Sequence, residues 1–181
     1  MPNTIDLGRR SLFKGKQTTA TTMLLPPWSV DQARFLDLCT RCGDCVSECP
    51  ENVLTPGSGG FPTTDFTHNE CTFCGDCVSA CTTGALTQLT DNGSSQPQSL
   101  PWHQAPEIND QCLARQGVVC RSCSESCEPE AIVFNWHSSN EHQRGVAIPS
   151  VNNDLCNGCG ACISICPTDA LTMQPLPKTP S

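Results

Sequence analysis

Apolar residues in this chain come in short, interrupted runs. Met23-Leu24-Leu25 is cut off at once by Pro26-Pro27, and no run approaches the ~18 residues that a membrane-spanning helix needs. Val53-Leu54 and Phe61-Pro62 flank the turn-rich stretch Thr55-Pro-Gly-Ser-Gly-Gly, the pattern of a short hairpin. Ala131-Ile132-Val133-Phe134 and Val146-Ala147-Ile148 flank a polar turn in the same way. Residues 39–54, CTRCGDCVSECPENVL, return as residues 71–86, CTFCGDCVSACTTGAL, at an offset of 32 with 10 of 16 positions identical. A repeat of this size marks a duplicated supersecondary unit. The pattern predicts two small units, 31–90 and 107–175. Each is expected to hold a short strand, a cysteine-bearing loop, a one- or two-turn helix after the last cysteine, and a small antiparallel hairpin. The class is α+β with little regular secondary structure. Residues 1–30 read as a flexible N-terminal arm, and 91–106, rich in Gly, Ser, Gln and Pro, as a linker. Residues 176–181 read as a frayed tail.

Composition sharpens this picture. Of 181 residues, 37% are counted as hydrophobic, but that figure includes 16 cysteines. Without them the apolar share is roughly 28%, far below the usual near-half. There is no Tyr, and only 6 Phe and 3 Trp. A conventional large core is excluded, so a disulfide or metal staple must offset chain-ordering entropy of ~1–2 kcal/mol per residue. The net charge of −8 argues against nucleic acid and against an anionic membrane surface.

Spacing decides which staple. The first run is Cys39, Cys42, Cys45 and Cys49 followed by Pro50; the second is Cys71, Cys74, Cys77 and Cys81 followed by Thr82. The fourth is Cys156, Cys159, Cys162 and Cys166 followed by Pro167. These read C-x2-C-x2-C-x3-C, the signature of bacterial [4Fe–4S] ligation, so two bacterial-ferredoxin-like units are expected. Three thiolates on one tight loop reach three corners of a cubane, and the fourth lies past that loop, at the start of a helix. Pro50 and Pro167 suit a first helical turn, where a missing N–H costs nothing. Zinc sites use paired CxxC arms with a longer spacer, and a disulfide framework needs an oxidising compartment. The third run, Cys112, Cys120, Cys123 and Cys127, opens with a gap of seven residues. Arg121-Ser122 stands there where other runs have Gly43-Asp44, Gly75-Asp76 and Gly160-Ala161. The cluster count is therefore three or four. Cys112 is either a ligand delivered by a longer loop or an ordinary thiol.

In two-cluster ferredoxins the fourth cysteine of one run serves the other cluster. That arrangement implies Cys39, Cys42, Cys45 with Cys81; Cys71, Cys74, Cys77 with Cys49; Cys112, Cys120, Cys123 with Cys166; and Cys156, Cys159, Cys162 with Cys127. One cluster per run, or a nested pairing of the first run with the fourth, is equally compatible with the spacing. Each four-thiolate cluster adds about −2, so the loaded chain nears roughly −16 and favours a positively charged partner surface.

Residues 8–14, Gly-Arg-Arg-Ser-Leu-Phe-Lys, have the form of a twin-arginine signal. No apolar segment of the needed length follows, so the arm reads as a basic extension or a recognition handle, and the protein as cytoplasmic. His68, His103, His137 and His142 lie in polar surroundings and read as surface residues; Trp28, Trp102 and Trp136 read as packing residues. No phosphate loop, nucleophile elbow or HExxH is present, which points away from an enzyme.

The segment Cys112-Leu-Ala-Arg-Gln-Gly-Val-Val-Cys120-Arg-Ser-Cys123, with Cys127 and Glu128-Pro129 after it, resembles the irregular third motif of the NapF family of ferredoxin-type proteins, which are encoded with the periplasmic nitrate reductase. The Arg9-Arg10 pair, the three regular runs and the chain length agree with it. The resemblance implies a cytoplasmic [4Fe–4S] protein that binds the catalytic molybdenum subunit of that reductase before export and assists its maturation, through cluster or electron supply. The alternative is a simple electron-transfer ferredoxin of an anaerobic respiratory chain; a structural zinc protein is a weaker third reading.

Overall fold

The computed structural model describes residues 23–88, 101–102, 104–136 and 145–176. The expectations for Arg9-Arg10, for the three histidines at 103, 137 and 142, for most of the linker and for the tail fall outside these residues.

The first unit opens with α1, Gln32–Leu38. Asp31 caps it: its carboxylate accepts the backbone N–H of Arg34 at 3.1 Å, satisfying one of the helix's orphan donors. α1 buries Phe35 to 1% exposure. Two one-turn helices follow, α2 (Asp44–Ser47) and α3 (Asp76–Ser79), with a hairpin of β1 (Leu54–Pro56) and β2 (Pro62–Thr64) between them. The hairpin sits where the sequence pattern puts it, in antiparallel register Leu54 to Thr64. The second unit repeats the plan. It begins with β3 (Gln104–Ile108), carries α4 (Ser122–Glu125), the hairpin of β4 (Ile132–Trp136) and β5 (Ala147–Val151), then α5 (Ala161–Ser164), and ends with β6 (Leu171–Pro175). β3 pairs antiparallel with β6, so the unit's first and last segments close on each other.

Three expectations are corrected. The short helices precede the fourth cysteine of each run instead of following it: α2 ends at Ser47, and Cys49 lies beyond its cap. A proline after the fourth cysteine therefore stops a helix, as proline does past a C-terminus, and starts none. Second, residues 23–30 belong to the first unit. Pro26 and Pro27 are almost fully buried, and the Val30 N–H donates to the Ala85 carbonyl at 3.1 Å while the Thr87 N–H donates to that of Trp28 at 2.9 Å. Together with the isolated Ser29–Leu86 bridge, this is the first unit's short counterpart of the β3–β6 ladder. Third, Gln104–Pro106, placed in the linker by composition, is strand, and Trp102 before it is buried. Pairing with β6 supplies backbone partners that no local pattern advertises.

The interior is a set of small patches. One lies in the first unit (Phe35, Cys45, Leu54, Cys77, Ala85, Leu86) and one in the second (Ile108, Ile132, Cys162, Leu171). A third, Val53 and Phe66 with Trp102 and Met173, is shared by both units. Its rings meet edge to face, Phe66 and Phe73 standing 5.6 and 6.0 Å from Trp102.

Candidate metal centres

Each regular run folds the same way. Gly43, Gly75 and Gly160 stand at the helix start with φ of 86°, 85° and 89°, the left-handed region open to glycine. The turn aims the third cysteine, second residue of the helix, inward; Cys45, Cys77 and Cys162 are the buried members of their runs. The fourth cysteine then closes the helix, its N–H donating to the carbonyl three residues earlier in all four runs, at 3.0 to 3.3 Å. The third residue after it has positive φ every time: Asn52 (53°), Gly84 (71°), Glu130 (52°) and Asp169 (50°). This reversal brings a backbone N–H onto the fourth sulfur. Leu86 donates to Cys81 Sγ at 3.4 Å, Ala131 to Cys127 Sγ at 3.3 Å and Ala170 to Cys166 Sγ at 3.3 Å. Sequence reasoning missed these donors, and only Gly84 hints at the conformation that produces them.

The thiols gather in the crossed arrangement. Cys39, Cys42, Cys45 and Cys81 line one hollow, walled by Phe35, Ala85 and Leu86. Cys156, Cys159, Cys162 and Cys127 line another, walled by Ile132 and Met173. Cys77 lies beside Cys71, Cys74 and Cys49, and Cys123 beside Cys112, Cys120 and Cys166. The long gap of the third run is thus a folded turn. The Val118 N–H donates to the Leu113 carbonyl at 2.8 Å, Ala114 is buried, and Cys112 is carried back to its set. Arg121 opens α4 at φ −133°, so this run does without the left-handed glycine.

Burial and mutual repulsion make the inward-facing third cysteines reluctant to ionise alone. Burial first, then thiolates at Cys39, Cys42 and Cys81, push Cys45 up to about 11. Burial, then Cys71 and Cys45, push Cys77 to about 12; burial, then Cys112 and Cys120, push Cys123 to about 11. Cys162 is raised as well, burial again leading. Cys81 shifts the other way. Burial pushes its thiol up, but the N–H of Leu86 and the Thr83 hydroxyl outweigh this and hold it below its ordinary value. Four converging sulfurs that repel one another call for a cationic partner. Among the described residues, no three Cys, His, Asp or Glu side chains converge closely enough to hold a single ion. A zinc ion needs its sulfurs together at ~2.3 Å from one centre; a cubane spreads them, one per iron. Four thiols set around one hollow fit a [4Fe–4S] cluster, which takes one sulfur at each iron.

Adjacent sets touch. α2 packs on α3, with Cys45 beside Cys77, and α4 packs on α5, with Cys123 beside Cys162. Between units, the Cys71 N–H donates to the Cys159 carbonyl at 2.8 Å. Trp102 Nε1–H donates to the Asn157 carbonyl at 2.9 Å beside it, and Phe66 lies against Gly160 so closely that a Cβ there would overlap the ring.

Comparison with known proteins agrees with this organisation. Residues 38–85 and 118–170 each match the family described as 4Fe-4S dicluster domain. The second match begins after Cys112, the residue that spacing left ambiguous. The chain is 41% identical over 171 residues to the ferredoxin-type protein NapF of Escherichia coli K12, covering 94% of this chain and 96% of that protein. It is 40% identical to the protein of the same name in Haemophilus influenzae, with the same coverage, and 30% identical to the ferredoxin-type protein NapG of E. coli K12, covering 85% of this chain and 70% of NapG. This is a [4Fe–4S] protein with three or four clusters.

Proposed function

The chain belongs to the NapF family of ferredoxin-type proteins, and from that membership we propose that it binds the catalytic molybdenum subunit of the periplasmic nitrate reductase in the cytoplasm and assists its maturation before export. The observation that carries this reading is 41% identity across 94% of the chain, a span that includes the irregular third run. In this reading the sixteen cysteines hold the clusters in the four crossed sets, Cys112 included. When bound, a [4Fe–4S] group takes up and returns one electron; the chain adds what tunes and shields that exchange. The N–H groups of Leu86, Ala131 and Ala170 on the fourth sulfurs draw negative charge from them, which favours the reduced state. The chain itself is not an enzyme; its contribution is electron or cluster supply to the partner.

Capture of the cytoplasmic precursor of that subunit on the anaerobically purified, iron-loaded chain tests the proposal. Retention of the precursor is expected, and its absence from the bound fraction overturns the maturation reading. A general electron carrier is the second reading, favoured by the contact of each thiol set with the next. Stopped-flow mixing with a reduced donor tests it, and loaded clusters that never reduce eliminate it.

A further inference from the structure

We infer that the two dicluster units work as one electron-exchanging series, ordered first run, second run, fourth run, third run, with the Cys71–Cys159 hydrogen bond as the link between them. The inference rests on the electron-transfer reading above and goes beyond it. A matched pair of dicluster domains joined by a linker describes two separate carriers equally well. What separates the alternatives is the contact between units.

The contact is made by residues of the sets themselves. The Cys71 N–H and the Cys159 carbonyl meet at 2.8 Å. Sulfur to sulfur, the route runs through the bonds of these two residues and one hydrogen bond. Inside each unit the neighbouring sets meet through paired one-turn helices, α2 with α3 and α4 with α5. Every step of the series is thus a contact between residues of adjacent sets, and the first and third runs stand at its ends.

The rings around the link exclude water and fix it. Phe66 covers Gly160, the loop glycine of the fourth run. Trp102 covers Gly158, where a Cβ would meet its Cδ1 at 2.7 Å, and anchors to the Asn157 carbonyl. Val53 and Met173 complete the seal. Gly158 and Gly160 therefore serve two ends: they shape the loop of the fourth run, and they leave room, Gly158 for Trp102 and Gly160 for Phe66 of the first unit. A flexible tether between independent carriers has no need of a shared aromatic core. The step itself is a one-electron exchange, one site oxidised as its neighbour is reduced, with no atom or proton transferred.

The test uses the intact, anaerobically loaded chain and a variant carrying Phe66→Ala with Trp102→Ala, which removes the seal and no cysteine. Iron and acid-labile sulfide per chain come first and are expected to match the parent. Fully reduced samples are then compared by EPR at two microwave frequencies, where spin–spin splitting is the part that does not move with field. Splitting within each unit persists in both proteins; the component between units is expected in the parent and lost in the variant. After sub-stoichiometric flash reduction by a photoreduced deazaflavin, freeze-quenched parent is expected to redistribute electrons in one phase and the variant in two. Identical splitting and identical redistribution in a loaded variant overturn the inference and leave the carrier reading standing, whereas clusters that accept no electrons in either protein overturn the carrier reading. Should the variant fail to load, hydrogen exchange on the parent decides: slow exchange at the Cys71 amide supports the link, and exchange at the rate of an open loop overturns it.

Discussion

The loop glycines offer a graded experiment on how the units are joined. Gly43, Gly75 and Gly160 share one backbone conformation, φ 85–89°, at one position of the repeat. Replacing any of them with Ala incurs the left-handed penalty of ~1–2 kcal/mol. Their surroundings differ. At Gly43 a new Cβ meets nothing within 4 Å; at Gly75 it meets only the flexible end of Gln88 at 3.1 Å. At Gly160 it overlaps the Phe66 ring, held by the shared aromatic core. Overpacking of that kind adds ~1–3 kcal/mol. Gly43→Ala and Gly75→Ala are thus expected to lose about 1–2 kcal/mol and Gly160→Ala about 2–5 kcal/mol. Anaerobic guanidinium unfolding of the loaded chain, followed by bleaching of the cluster absorption, ranks the three by midpoint. A double-mutant cycle sharpens the result: Phe66→Ala removes the obstacle, so Gly160→Ala is expected to cost less in that background by about 1–3 kcal/mol. Equal losses at all three glycines, or strict additivity with Phe66→Ala, refute the packing argument.

Phe35→Ala, which empties the most buried ring of the first unit, is expected to cost about 3–5 kcal/mol and to shorten the lifetime of the first unit's clusters under chelator challenge. Cys112→Ser is expected to reduce iron per chain while leaving a reducible protein; an unchanged iron count removes Cys112 from the ligand set. Trp102→Phe keeps a ring but deprives the Asn157 carbonyl of its donor, an expected loss of about 0.5–1.5 kcal/mol in the same unfolding assay. Stripping the clusters with oxidant and chelator is expected to abolish the compact fold, seen as an increased radius of gyration in solution scattering, because the apolar interior is too small to persist alone.

Much of this site could be read before its geometry was known. The C-x2-C-x2-C-x3-C spacing announces the cofactor class, and Val53-Leu54 with Phe61-Pro62 announces the first hairpin, because both signals are local. The helices were misplaced because four residues such as Asp-Cys-Val-Ser span one turn and carry no amphipathic period; the proline that seemed to begin a helix ends one. Which run lends its fourth cysteine to which neighbour depends on the packing of α2 on α3 and α4 on α5, which spacing does not encode. The junction was hidden for the same reason. Trp102 lies in a polar, proline-rich stretch, and its partner Gly158 is a glycine already accounted for by its own loop. Cys112 shows the reverse: its irregular spacing left it as either a ligand or an ordinary thiol, and a compact turn around Ala114 absorbs the extra residues.

Met173 packs with Val53, Phe66 and Trp102, against Cys49 and Cys71. The wall that shields a centre built around Cys49 and Cys71 is therefore finished by a residue of β6, far downstream of them in the sequence. A ribosome must deliver β6 before that centre is closed to oxygen, so loss of this strand is felt far upstream, at cysteines that the deletion never touches.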